Sequence, residues 1–196
     1  QQTSVDLVSS KPDIIFHLAA IVSGQAEQEF DLGWNINAKG SWGLFEAIRN
    51  IGDNYCPRVV FTSSIAVFSA PFPDKITDDF FTTPLTSYGA QKAISELLLS
   101  DYSRKGMIDG VSIRLPTICV RPGKPNLAAS GFFSGIIREP LNGKEAILPV
   151  STEVRHWHAT PRSAAGFLIH AAEIDTSLLN HRITLNMPGL SVTVQE

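Results

Sequence analysis

Apolar positions along this chain follow two spacings, and the switches between them mark the elements. Asp13-Ile-Ile-Phe-His-Leu18 is a short continuous apolar run between Pro12 and the small pair Ala19 and Ala20, which predicts a strand covered on both faces. From about Ala26 to Ile51 the spacing becomes three and four, through Phe30, Trp34, Leu44, Phe45 and Ile48, and predicts one long helix stopped at Gly52. Arg58-Val-Val-Phe-Thr-Ser63 predicts a second buried strand. The stretch from Ala70 to Pro84 is too rich in proline for a regular element. A helix is expected from about Ser87 to Arg104 and a third strand at Val111-Ser-Ile-Arg-Leu115. Beyond Pro122 the pattern loosens. It predicts a helix near Phe132 to Arg138, a short strand at Ala146 to Leu148, an extended Arg155-His-Trp-His158, and a helix from Pro161 to Glu173 with Pro in its first turn.

Strand, helix, strand, helix, strand is the alternation of an open α/β fold, doubly wound around a mostly parallel sheet. A soft boundary divides residues 1–122, the sheet core, from residues 123–196, a smaller α+β lobe whose elements may interleave with the core. The 196 residues suffice for a buried core, and the opening at Gln1 and the stop after Glu196 suggest a piece of a longer polypeptide.

Sixteen basic side chains against nineteen acidic ones give a net charge of -3 with no block of like sign, which argues against nucleic acid or a membrane surface as partner. No apolar run has the length of a membrane span. Cys56 and Cys119 lack the spacing of a disulfide framework or a metal site, so the expectation is reduced thiols in a cytoplasmic protein that holds no metal.

In open α/β sheets, ligands sit beyond the carboxyl ends of the strands. The three predicted strands end in Ala19-Ala20, in Thr62-Ser63-Ser64 and in Pro116-Thr117. Tyr88-Gly-Ala-Gln-Lys92 puts a phenol and an ammonium at i and i+4, on one helical face. A phenol ordinarily titrates near pH 10, and a fixed cation one turn away favours its phenolate. Ser64 at the mouth of the neighbouring strand could hold a substrate oxygen against it. Tyr-x-x-x-Lys alone is a weak signal, equally served by an exposed helix pair; the order of the surrounding pieces strengthens it.

Those pieces are His17-Leu-Ala-Ala20, Asn37-Ala-Lys-Gly40, Val60-Phe-Thr-Ser-Ser64, Tyr88-Gly-Ala-Gln-Lys92 and Arg114-Leu-Pro-Thr117. On them the chain resembles the extended short-chain dehydrogenase/reductases, the NAD-dependent epimerase/dehydratase family. The stretches Ile65-Ala-Val-Phe68, Pro84-Leu-Thr-Ser-Tyr88 and Leu115-Pro-Thr-Ile-Cys-Val-Arg-Pro-Gly123 look most like its D-erythronate dehydrogenase branch. The resemblance implies a Rossmann-type fold, lacking here its first βαβ unit, and an NAD-dependent oxidation of a secondary hydroxyl of a small sugar acid. NADP stays open as the cofactor, and so does a homodimer. Tyr88 would accept the proton, Lys92 would bind the nicotinamide ribose and tune Tyr88, and Ser64 would orient the reacting oxygen. Leu18, Ala19, Ala20, Asn37, Thr62, Pro116 and Thr117 would complete the cofactor site.

No G-x-x-G-x-x-G occurs among the 14 glycines, an absence attributed to the abrupt start. Pro161-Arg162 replaces the family's usual acidic pair, and Phe68-Ser69 stands where many epimerases have Tyr-Gly, which tells against a nucleotide-sugar substrate. A nucleotide-sugar epimerase or dehydratase remains the alternative enzyme, and a non-catalytic dinucleotide-sensing module the alternative of another class. Arg155 is the candidate clamp for a substrate carboxylate or, equally, a residue of an edge strand. Ser23 could reach a substrate hydroxyl or cap the helix after it. His17 reads as a satisfied core histidine, Arg121 and Lys124 as solvated loop charges, Asp78-Asp79 as a solvated turn. His156 and His158 lack the companions a metal site needs.

Overall fold

The computed structural model describes residues 2–52, 54–77 and 80–196; Asp78-Asp79 lies outside the described residues. Helix α1 (Gln2–Ser9) precedes the first strand, β1 (Ile14–His17). The long helix expected over residues 26–51 is instead broken into α2 (Ser23–Gln28), α3 (Phe30–Gly33), a π-helical turn (Trp34–Ala38) and α4 (Lys39–Ile51). The break falls at Glu29, whose backbone leaves the helical region at φ −120° and ψ 72°. Strand β2 (Arg58–Ser64) runs into a 3₁₀ turn (Ile65–Val67), and after the proline-rich loop comes α5 (Ser87–Arg104). Strands β3 (Asp109–Leu115) and β4 (Thr117–Ile118) follow, then α6 (Gly131–Leu141), β5 (Arg155–Ala159) and α7 (Pro161–Glu173). A 3₁₀ turn (Thr176–Leu179), β6 (Thr184–Asn186) and β7 (Leu190–Thr193) complete the order. Residues 146–148, expected as a strand, form no regular element, since no neighbouring strand pairs with them.

The main sheet has the order β1-β2-β3-β6, every pair parallel. Its central strands are buried on both faces, hence their continuous apolar runs. Val59 and Phe61 of β2 join one layer with Leu44, Phe45 and Ile48 of α4 and Leu99 of α5. Val60 points the other way, into a layer with Val111, Ile113 and residues Ala164 and Ala171 of α7. Two of the core's elements therefore come from beyond residue 122: β6 pairs with β3, and α7 covers the sheet. A second sheet, β4-β5-β7, pairs β4 parallel and β7 antiparallel to β5. Among the described residues no helix is long and apolar enough to cross a membrane.

The parallel register aligns the strand ends. His17 lies opposite Phe61, and Ser64 lies opposite Leu115, so Leu18 to Ala20, Thr62 to Ser64 and Pro116 all emerge on one edge of the sheet. Helix α5 brings Tyr88 and Lys92 to that edge.

Candidate active site

Helix α5 starts where it does because Thr86 caps it, accepting from the Gly89 N–H at 3.1 Å, while Glu27 of α2 accepts from the Ser87 N–H at 2.9 Å. The face it buries is polar: Gln91, Lys92, Ser95 and Glu96 are all sequestered. Each of the last three residues of β2 is tied to this face. Lys92 Nζ donates to the Thr62 carbonyl at 2.6 Å, Ser63 donates to the Glu96 carboxylate, and the Ser64 hydroxyl lies close enough to the Tyr88 phenol to draw its titration down. Strand and helix are thus locked in one register, with the phenol and the Ser64 hydroxyl side by side.

The charges in this corner compensate one another unevenly. Lys92 stands 4.7 Å from the Phe61 ring centroid and 5.7 Å from that of Tyr88. Burial pulls its ammonium down to about 8, and the Glu96 carboxylate partly holds it up. Arg114 forms a two-pronged pair with Glu96, at 2.9 and 2.7 Å, and its guanidinium lies 4.8 Å from the Phe68 ring. Burial raises the Tyr88 hydroxyl above its ordinary value; the Ser64 hydrogen bond and the Arg121 charge draw it back. Two cations thus bear on the phenol: Lys92, 5.7 Å from its ring while donating to the Thr62 carbonyl, and Arg121 from the loop after β4.

Asn37, in the π-helical turn, clamps the loop that follows β1. Its carbonyl oxygen accepts from the Ile21 N–H at 2.7 Å, and its amide donates to the Ile21 carbonyl at 3.1 Å and to Gln91 at 2.7 Å. The π turn aims this side chain between β1 and α5. Leu18 and Ala19 are exposed just beyond β1, and Pro116 is buried opposite. Thr117 is buried too, its hydroxyl 2.8 Å from His156 Nε2. Thr62 donates its hydroxyl to the His17 carbonyl at 3.2 Å. His17 is satisfied as well. Ser41 gives its only hydroxyl proton to the Asn37 carbonyl at 2.6 Å, so His17 Nε2, 2.9 Å away, must be the donor to Ser41.

Arg155 and Ser23 both have partners within the protein. Arg155 is half exposed on β5, 3.2 Å from Glu196 and donating to the Ser191 carbonyl at 3.0 Å. Ser23 does not cap α2, whose cap is Val22; its hydroxyl accepts from the Ala129 N–H at 3.0 Å. His156 and His158 pack on Phe133, and the described residues contain no group of three or more metal-ligating side chains. An open cavity of about 320 Å³ lies along α5 among Glu27, Trp34, Pro84, Ser87 and Gln91, and neither Tyr88 nor Lys92 lines it. Sequence reasoning passed over Glu96 and Arg114 as chemistry, although a charge in the middle of an apolar strand and a carboxylate one turn past Lys92 were visible signals. Arg121 gave none, being one cation in a polar loop.

The architecture is that of a Rossmann-type α/β protein, with a Ser, a Tyr and a Lys gathered where such sheets receive their ligands. The chain belongs to the NAD dependent epimerase/dehydratase family, whose model matches residues 1–177. It is 54% identical over 179 residues to D-erythronate dehydrogenase of Cupriavidus necator, across 91% of this chain and 55% of that protein. D-erythronate dehydrogenase of Haemophilus influenzae is 48% identical over 191 residues, across 97% of this chain and 60% of that protein. A solved structure from Agrobacterium tumefaciens, described as a nucleoside-diphosphate-sugar epimerase, matches with a TM-score of 0.93 and 67% identity, covering 98% of this chain and 57% of that one. The chain therefore spans less than two thirds of the length of these relatives.

Proposed function

We propose that the complete protein is an NAD-dependent oxidoreductase that oxidises a secondary hydroxyl of a small sugar acid of the D-erythronate kind. The observation that carries this reading is the gathering of Tyr88, Lys92 and Ser64 at the carboxyl ends of parallel strands, with Lys92 Nζ on the Thr62 carbonyl and 5.7 Å from the Tyr88 ring. Tyr88, as phenolate, accepts the proton of the substrate hydroxyl, and Ser64 holds the reacting oxygen in line. Lys92 suits the ribose of a dinucleotide: one of its three N–H donors is on the Thr62 carbonyl, which leaves others for ribose hydroxyls. Leu18, Ala19 and Ala20 leave an open strand mouth for the cofactor, with Asn37 holding the loop beside it; Thr62, Pro116 and Thr117, buried at the neighbouring strand ends, would support it from beneath. When bound, the dinucleotide supplies the hydride acceptor. The reaction belongs in the cytoplasm, in keeping with Cys56 and Cys119 as free thiols.

A second reading, a nucleotide-sugar epimerase, is supported by the description of the Agrobacterium structure. A non-catalytic sensing module is disfavoured by the presence of Ser64, Tyr88 and Lys92 together. Incubating the complete protein with NAD and four-carbon aldonates, and separately with UDP-sugars, distinguishes them. Reduced cofactor with an aldonate is the expected result; UDP-sugar epimerisation without oxidation of any aldonate would replace this reading by the second.

A further inference from the structure

We propose that Arg121, rather than Arg155, takes the substrate carboxylate and holds it beside the Tyr88 phenol. The inference rests on the sugar-acid reading and names the group that recognises the acid. Arg121 Nη2 is buried, and among the described residues no acceptor bonds it. Arg121 as a whole is half-buried, but a buried donor in a native protein almost always has a partner. A guanidinium left in that condition is a site for an anion.

The position is built rather than incidental. The Arg121 N–H donates to the buried Ser134 hydroxyl at 2.9 Å, and Arg138 donates to the Arg121 carbonyl at 2.7 Å, so α6 grips the residue on both sides. Further along, the loop is fixed to the start of α2, where Ala129 donates to Ser23 at 3.0 Å and Gly24 donates to the Leu127 carbonyl at 3.0 Å. A Cβ on Gly131 would stand 3.9 Å from Arg121 Nη2, so α6 begins against the guanidinium without crowding it. The loop that holds Arg121 leaves the sheet at the edge where Ser64 lies opposite Leu115, and its charge draws the Tyr88 phenol down. An anion bound there would be held on the side of the sheet from which Tyr88 acts. A compact hydroxy acid meets that demand, with its carboxylate one or two carbons from the carbon to be oxidised. A nucleoside diphosphate sugar carries its charge at the far side of a ring. The planar fork of arginine matches a carboxylate with two parallel hydrogen bonds. Arg155 is already paired with Glu196 in solvent.

The test is calorimetric binding of D-erythronate, and of the uncharged four-carbon polyol erythritol, to the complete protein saturated with NADH, for the parent and for Arg121→Gln, Arg121→Lys and Arg155→Gln. Unfolding midpoints establish that each variant is folded. Arg121→Gln is expected to weaken the aldonate about 10- to 150-fold, the worth of a charge-assisted hydrogen bond, without changing erythritol. Arg121→Lys should recover part of the loss, since it keeps the charge but not the fork. An aldonate that the parent does not bind, that binds Arg121→Gln as well as the parent, or that is lost in Arg155→Gln instead, would overturn the proposal. Turnover separates the two readings. Aldonate held by Arg121 but never oxidised removes the proposed reaction and leaves this inference; oxidation indifferent to Arg121 does the reverse.

Discussion

Gly89 and Ala66 touch backbone to backbone: a Cβ on Gly89 would lie 2.2 Å from the Ala66 carbonyl oxygen. This close approach seats the first turn of α5 on the 3₁₀ turn that leaves β2, and so sets Tyr88 next to Ser64. Gly89→Ala should force the two apart. Overpacking of this kind costs about 1–3 kcal/mol, and a displacement near 1 Å at a reacting group can cost about 10²-fold in rate. Gly43 provides the contrast, because a Cβ there would meet nothing within 4 Å. Gly43→Ala, inside α4, should stabilise by about 0.5–1 kcal/mol through the unfolded chain. Urea unfolding of both variants, beside steady-state rates, checks the pair; equal stability of the two would refute the packing argument.

Removing only the phenolic oxygen, Tyr88→Phe should lower kcat by about 10²-fold or more while the unfolding midpoint and dinucleotide affinity barely move. Ser64→Ala should raise the Tyr88 pKa further, since the hydrogen bond that draws it down is lost. The acid limb of the kcat/KM profile then moves to higher pH. A profile that stays in place would show that Ser64 does not act on the phenol.

The central fold was legible because buried parallel strands write themselves as unbroken apolar runs. The strand at Arg58 and the helices at Ser87 and Pro161 lie where pattern and end signals put them. The helix over residues 26–51 was misjudged because periodicity continues through Glu29 and the π turn, although the backbone does not. Strands β6 and β7 are three and four residues long and depend on pairing with β3 and β5, a signal no local window contains. The same limit governs the site. Tyr88 and Lys92 share a helix and can be read together, whereas Arg121 is brought to the same side of the sheet only after the chain has crossed β3 and β4.

Glu96 and Arg114 form a buried ion pair with side chains 6% and 10% exposed, which is dry enough for partner loss to matter. Arg114→Met leaves a buried carboxylate hydrogen-bonded only by Ser63, and Glu96→Leu leaves a buried guanidinium; either should cost about 3–5 kcal/mol. The double variant, apolar on both sides, should recover most of that loss, and a double-mutant cycle in urea measures the coupling. Glu96→Gln should also move Lys92 below its value of about 8, since the carboxylate is what holds the ammonium up. Lysine side-chain NMR titration reads that shift. Additive single losses, or an unmoved Lys92, would contradict the network.

His17 supplies the pH dependence of stability. Burial, and then the Lys92 charge, lower it from 6.5 to about 4 in the folded protein. Between those two values the unfolded chain binds a proton that the native protein refuses, so stability rises with pH across the window. The contribution is complete above about pH 6.5 and is lost as the pH falls toward 4, roughly 3 kcal/mol at most. Carboxylates titrate in part of the same range, so the comparison that isolates His17 is with His17→Gln. Glutamine can still donate an N–H to Ser41 but takes up no proton. The parent should lose stability between pH 6.5 and 4.5 more steeply than the variant, and the two curves should run parallel above pH 7. Identical slopes below pH 6.5 in urea titrations would mean that His17 titrates normally and that its place between Ser41, Phe45 and Phe61 is wetter than the packing indicates.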